Sequence, residues 1–226
     1  MHNQTLTALI AASATLAPLA AASVVIEYDT RAEFETDAMG PLAIEDLESE
    51  PHADLMLPST LDSGLAVNLT SGDVTVFVDF QNLNGFQNTT AKGRNYLAFG
   101  RNIPPAQTGS FTAAFELTQS SNAFGFDISG IQTQLSSNGF QVTTLADGQI
   151  VDDYFVPFEI EIGNAAFYGL ISEETFDEVR IHISAFNGSG TADYVAFDEI
   201  TWGGVPTPGA TSLLALSALA ATRRRR

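Results

Sequence analysis

Residues 74–80 alternate without a break, Val74, Val76, Val78 and Phe80 on one side and Thr75, Phe77 and Asp79 on the other. A period of two puts successive side chains on opposite faces, so this stretch predicts a strand with one buried face. In Phe176 to Ser184 the same pattern sets Val179, Ile181 and Ile183 against Arg180, His182 and Ser184, which makes His182 a solvent-facing strand residue. Further short apolar runs predict strands at Val24 to Asp29, Leu42 to Glu48, Leu65 to Leu69, Tyr96 to Phe99, Phe111 to Thr118 and Asn122 to Ile128. The series continues with Phe140 to Leu145, Gln149 to Val156, Phe158 to Ile162, Ala166 to Leu170 and Tyr194 to Trp202. Ala146-Asp147-Gly148 between two of these runs is a hairpin turn, with glycine free to take positive φ.

One helix is predicted. Thr30-Arg31-Ala32-Glu33 has the spacing of a capping box, and the helix runs to about Ala38 before Gly40-Pro41 ends it. Pro51 to Ser63, which contains His52, and Gln81 to Asn95, which carries Lys92 and Arg94, are loops. No long amphipathic helix interrupts the strands, so the fold class is all-β, an antiparallel sandwich.

Both ends break this pattern. The first 22 residues are apolar or small with no acid, and Ala20-Ala21-Ala22 offers a signal peptidase its A-x-A site, so cleavage is expected after Ala22. Residues 23–204 are then the exported domain. The last 22 residues, 205–226, have three parts: Val205, Pro206 and Pro208, which stop the preceding strand; an apolar helix of Ala, Leu, Ser and Thr over 210–221; and Arg223, Arg224, Arg225 and Arg226. At 1.5 Å per residue the apolar piece with its flanks spans about 20–27 Å, short of a hydrocarbon core of about 30 Å. Such a segment pauses in a bilayer, and the arginines sit where a positive-inside stop belongs.

This tail resembles the PEP-CTERM sorting signal of bacterial surface and exopolysaccharide-associated proteins, on Val205, Pro206, Pro208, Gly209, the Leu/Ala segment and the arginine cluster. The family usually has Glu between the prolines, where this chain has Thr207. The resemblance implies processing by the membrane protease-transpeptidase exosortase after signal peptidase, transient membrane association through the tail, and delivery to the cell surface or extracellular matrix.

Charge narrows the partners. All 27 acidic residues lie between the two end segments, with only five basic ones (Arg31, Lys92, Arg94, Arg101 and Arg180), so the exported part has a net charge near −22 against −18 for the whole chain. Nucleic acid and anionic membrane both require cations to meet their phosphates, and neither is expected as a partner. Cations and neutral glycans are compatible with such a surface. Without cysteine there is no disulfide, thiol nucleophile or thiolate metal site.

Some acids fall where apolar residues dominate. In DYVAFDEITW a strict alternation places Asp198 on the face of Ala196, Ile200 and Trp202; in IEDLES it places Asp46 and Glu48 together, opposite Glu45 and Leu47. A carboxylate on a core face must be paired, hydrogen-bonded or bound to metal. First and last strands of a sandwich are often neighbours, which could join these acids. Phe124 to Ile128 (FGFDI), Phe167-Tyr168-Gly169 and Val195 to Ile200 (VAFDEI), with DLES near the start, also resemble the jelly-roll domains common among PEP-CTERM proteins, themselves similar to carbohydrate-binding jelly rolls with a structural calcium. That resemblance implies a jelly-roll fold and a Ca²⁺ site on Glu48 and Asp198, with Asp46 and Asp193 as weaker candidates. Calcium takes six to eight oxygen ligands and needs no His or Cys.

The expected role is structural or adhesive in the matrix and non-catalytic, since no G-x-S-x-G elbow, HExxH or alternating acidic triplet is present. The alternative is a calcium-dependent glycan-binding module, with Trp202, Tyr96, Tyr154, Tyr168 and Tyr194 the aromatic candidates for stacking on sugars besides Tyr28. A polysaccharide hydrolase or lyase ranks third.

Overall fold

The computed structural model describes residues 24–38, 40–72, 74–80, 95–101, 108–129, 139–157, 165–187 and 193–204. The predicted signal segment, the predicted sorting tail with its arginines, Lys92, Arg94 and the predicted strand 158–162 lie outside them. Among the described residues there are twelve strands and one helix: β1 (Val25–Tyr28), α1 (Arg31–Asp37), β2 (Leu42–Glu45), β3 (Ala53–Asp54), β4 (Ser59–Thr60), β5 (Ala66–Ser71), β6 (Thr75–Phe80), β7 (Asn95–Arg101), β8 (Thr108–Ser129), β9 (Gly139–Ala146), β10 (Gln149–Pro157), β11 (Ala165–Asn187) and β12 (Asp193–Gly203). Every pairing is antiparallel. The all-β reading holds.

Two long strands organise the whole. Four predicted strands merge into two: 111–118 with 122–128 become β8, and 166–170 with 176–184 become β11. At the polar stretches TQSS and SEET the paired strands slip in register, between Ile171 and Glu178 on β11, and pass from one layer to the other. On one side of this slip the order is β1-β11-β8-β12-β7-β6-β3, with β2 also on β12; on the other it is β10-β9-β11-β8-β5-β4.

The two halves face each other through phenylalanines. Phe99 of the first layer stacks on Phe111 of the second at 5.3 Å and 1°, and Phe197 meets Phe115 edge-on at 5.5 Å. Phe126 touches Phe197, Tyr168, Phe124 and Phe140, bridging the layers. These rings are the centre of one continuous core.

Helix α1 lies on the outer side of the first layer, where Phe34 is buried with Ala38, Ala123 and Phe167. The motifs FGFDI and FYG divide between two faces here. Phe124, Phe126 and Tyr168 enter the main core and Phe167 turns outward to Phe34. Gly125 and Gly169, opposite each other in the ladder, leave room for the rings. A Cβ on Gly169 would come 2.7 Å from Phe34 and one on Gly125 2.8 Å from Phe167.

Two local expectations are corrected. Thr30 does not cap a helix amide; its hydroxyl donates to the Glu33 carboxylate at 2.8 Å. The strict alternation assumed for the last strand fails at a bulge, where Asp198 pairs with Asp127 but Thr201 pairs with Gly125, one residue too many on β12. Glu199 takes φ +44 to absorb it. Ala196 therefore packs with Tyr96 and Ala98 on the outer side, while Ile200 and Trp202 join the core. The Asp147-Gly148 turn follows expectation, with φ +51 and +74.

Candidate functional site

Three groups of side chains could do chemistry, and the first is already occupied by a side chain. Arg31, the first residue of α1, spans the β12 bulge: it donates to Asp127 Oδ2 at 2.7 Å, the Glu199 carbonyl at 2.9 Å and Thr201 Oγ1 at 2.9 Å, and pairs with Glu199 Oε2 at 3.1 Å. Its guanidinium lies over the Phe167 ring at 4.7 Å. Burial pushes the Asp127 carboxyl above its ordinary value, against the downward pull of Arg31. This clamp fastens the helix to the sheet, with Arg31 as the counter-ion of the acidic bulge.

The second group is the predicted metal corner. Strand β2 pairs with β12 as expected, Glu45 opposite Ile200. The fully amide-capped acid there is Glu45, buried, its two oxygens accepting from Leu47 N at 2.8 Å and Ser63 N at 3.2 Å. Glu48 is exposed and accepts from Asn95 N at 2.8 Å; Asp46 is exposed and accepts from Glu48 N at 3.1 Å. Asn95 also donates to the Leu47 carbonyl and meets His52 Nε2 at 2.9 Å, which accounts for His52. Asp198 is fully buried and accepts from Glu199 N at 2.7 Å. Asp193 opens β12 opposite Arg101. Glu48 follows β2 and accepts from the first residue of β7, and Asp198 lies in β12, which pairs with both of those strands. Among the described residues no three His, Asp or Glu side chains converge on one point. A cation here would draw on these two carboxylates and complete its shell from backbone carbonyls.

The third group is on the outer face of the second layer, where an ordered polar row crosses five strands. Ser71 Oγ and Thr112 Oγ1 are 2.7 Å apart, and Thr112 Oγ1 is 2.9 Å from His182 Nδ1. His182 is opposite Gln141 in the ladder, and Gln141 Nε2 and Thr143 Oγ1 both donate to Asp153 Oδ1, at 2.7 and 2.8 Å. Arg180, on the same face, is held by Glu178 at 2.6 Å. At the edge of the row, opposite Gln141, stands Phe155, 54% exposed. Side chains fixed to one another in this way present donors and acceptors at set spacings beside an open aromatic ring.

The aromatic candidates do not supply that ring. Trp202, Tyr96 and Tyr168 are buried, Trp202 donating to Thr118 Oγ1 at 3.2 Å, and the Tyr194 side chain is outside the described residues. Tyr28 packs edge-on against Phe34. Tyr154 is half-buried, its hydroxyl 2.9 Å from that of Tyr168, which reaches Glu27 Oε1 at 3.4 Å. Burial pushes both tyrosine hydroxyls upward. The signal that could have found Phe155 was in the chain: in DDYFV it shares a face with Asp153, opposite Asp152 and Tyr154.

A groove of about 560 Å³ runs beside this edge, lined by Val25 and Glu27 of β1 and by Val151 to Phe155 of β10. A bulge between Ile150 and Asp152 turns Asp152 inward, where it accepts from Thr144 and Ser172 at 3.1 and 3.0 Å.

The fold and these surfaces define an antiparallel all-β protein with a polar outer sheet face. No family model and no curated protein matches the chain. Solved structures with a similar fold include a cleaved adhesin domain of Lys-gingipain, at 10% identity and TM-score 0.45 over 72% of this chain and 99% of that one. They also include the module TmCBM61 in complex with β-1,4-galactotriose, at 16% and 0.36 over 71% and 99%. A third is the catalytic domain of a GH87 α-1,3-glucanase with tetrasaccharides, at 14% and 0.34 over 70% of this chain and 30% of that one. The expectation of a non-catalytic protein is corrected by this set, since a catalytic domain stands in it beside a binding module and an adhesin domain. At such low similarity the likeness assigns no activity to this chain.

Proposed function

We propose that this is an exported acidic protein, sorted to the cell surface or exopolysaccharide matrix by an exosortase-type system, where a jelly-roll-type sandwich serves a structural or adhesive role by contacting extracellular glycan. The observation that supports glycan contact is the pair of hydrogen-bonded polar groups, Ser71-Thr112-His182 and Gln141-Asp153-Thr143, side by side on one face with Phe155 exposed at its edge. Sugars offer hydroxyls at fixed spacing and apolar C–H faces, and are met by a few well-placed polar groups next to an aromatic ring.

The test is retention of the secreted protein on immobilised extracellular polysaccharide, with its carboxyl terminus determined by mass spectrometry. The expected form has lost the arginine-tipped tail and is retained. Phe155→Ala weakens retention about ten-fold through loss of ring stacking, at an unchanged melting temperature, and Gln141→Ala weakens it as well. An intact tail on cytosolic protein overturns the sorting; retention that ignores both substitutions overturns the face.

Calcium on Glu48 and Asp198 is part of the same proposal. Chelation is expected to lower the melting temperature, and Asp198→Ala to abolish that difference, because a ligand bound only by the folded state stabilises it by mass action. A melt indifferent to chelator removes the ion.

A further inference from the structure

We propose that the groove between β1 and β10 binds a cationic amino sugar, a hexosamine unit with a free ammonium group. This rests on the glycan-contact reading above and specifies the ligand class. Both walls are sheet edges: among the described residues β1 pairs only with β11 and β10 only with β9. The groove's volume, about 560 Å³, falls within the roughly 300–1,000 Å³ of small-ligand clefts.

Its polar groups form a short relay. Tyr154 and Tyr168 share a hydrogen bond at 2.9 Å, and Tyr168 donates toward Glu27 at 3.4 Å, so the exposed carboxylate on the β1 wall is the terminal acceptor. In the opposite wall lies Asp152, largely buried. Both carboxylates bear on Tyr154, adding to burial in holding its proton. Among the described residues, Arg31 is committed to Asp127 and Glu199 and Arg180 to Glu178, which leaves Glu27 as an exposed carboxylate on the groove wall. Phe155 completes the lining.

These groups suit one occupant best. A neutral hexose could bond Tyr154 and lie against Phe155, yet would bring no charge to Glu27. An anionic sugar would be repelled. An ammonium on a sugar ring matches all three features, pairing with Glu27 while a ring hydroxyl meets Tyr154 and the ring lies against Phe155.

The experiment is calorimetric titration of the full chain with a fully deacetylated glucosamine tetramer, its N-acetylated counterpart and a neutral glucose tetramer. The deacetylated tetramer is expected to bind about ten-fold tighter than the other two. Glu27→Gln removes this preference, and Glu174→Gln, exposed on β11 outside the groove, preserves it. Equal affinity for all three tetramers overturns the amine preference; if Gln141→Ala then weakens binding, the glycan-contact reading survives without it. A preference lost equally in both glutamate variants is diffuse attraction to an acidic protein and overturns the groove. No binding of any tetramer overturns both readings.

Discussion

Phe126→Ala should remove about 3–5 kcal/mol of stability, the cost of truncating a buried phenylalanine whose surroundings cannot collapse. Phe126 is fully buried among Phe124 at 5.8 Å, Phe140 at 5.9 Å, Tyr168 at 5.6 Å and Phe197 at 5.3 Å, rings drawn from both layers. With each of those neighbours packed on further rings, little can move into the vacated space. Domains hold roughly 5–15 kcal/mol in all, so the variant would be close to unfolding, with a melting point lower by about 10 °C. Urea denaturation checks it: the midpoint should fall at unchanged slope, and Phe126→Leu should recover most of the loss. A cost below about 1 kcal/mol would mean that the layers are not joined through this ring.

Arg31→Met should cost about 3 kcal/mol at neutral pH, because it strands two carboxylates in a largely buried site. Asp127 and Glu199 are only 14% and 13% exposed, and their shared cation is 17% exposed. The pH dependence separates this from lost packing. Asp127 is already raised by burial with the cation in place, and removing the cation that pulls it down raises it further. A raised folded-state pKa means that the native state holds the proton more tightly than the unfolded chain. The penalty is therefore complete above the raised pKa and fades as pH falls through it. The variant's deficit should be largest near about pH 7 and shrink toward about pH 4, as followed by denaturant midpoints. A deficit independent of pH would assign Arg31 a packing role only.

Much of the strand pattern was legible because alternation and burial coincide. Val76 and Val78 enter the core as their spacing predicts, and Val179, Ile181 and Ile183 do the same. What could not be read is where a strand continues through polar residues. TQSS and SEET have turn composition, yet each belongs to a strand that changes layers, a decision made by pairing partners distant in sequence. The bulge at Glu199 was invisible for a related reason. One extra residue reverses every face after it, so the local pattern predicted Asp198 together with Trp202. At the candidate site, the alternation in DDYFV marks Phe155 as sharing a face with Asp153 rather than Tyr154, but its exposure depends on where β10 stands in the sheet, which strand pairing decides. His182 was placed on the outer face from spacing alone, but its bond to Thr112 depends on the register of β8 against β11.

The course of β12 bears on how the molecule would carry load. Its carboxyl-terminal half is flanked by β2 on one side and β8 on the other, and its amino-terminal half by β7 and β8. A pull on its last residue acts along the strand, so the cross-strand bonds on both flanks are sheared together and must give way as a group. A terminal strand peeled from a sheet edge would instead lose its bonds one at a time. A protein tethered by this end could therefore bear tension at its attachment point without fraying from it.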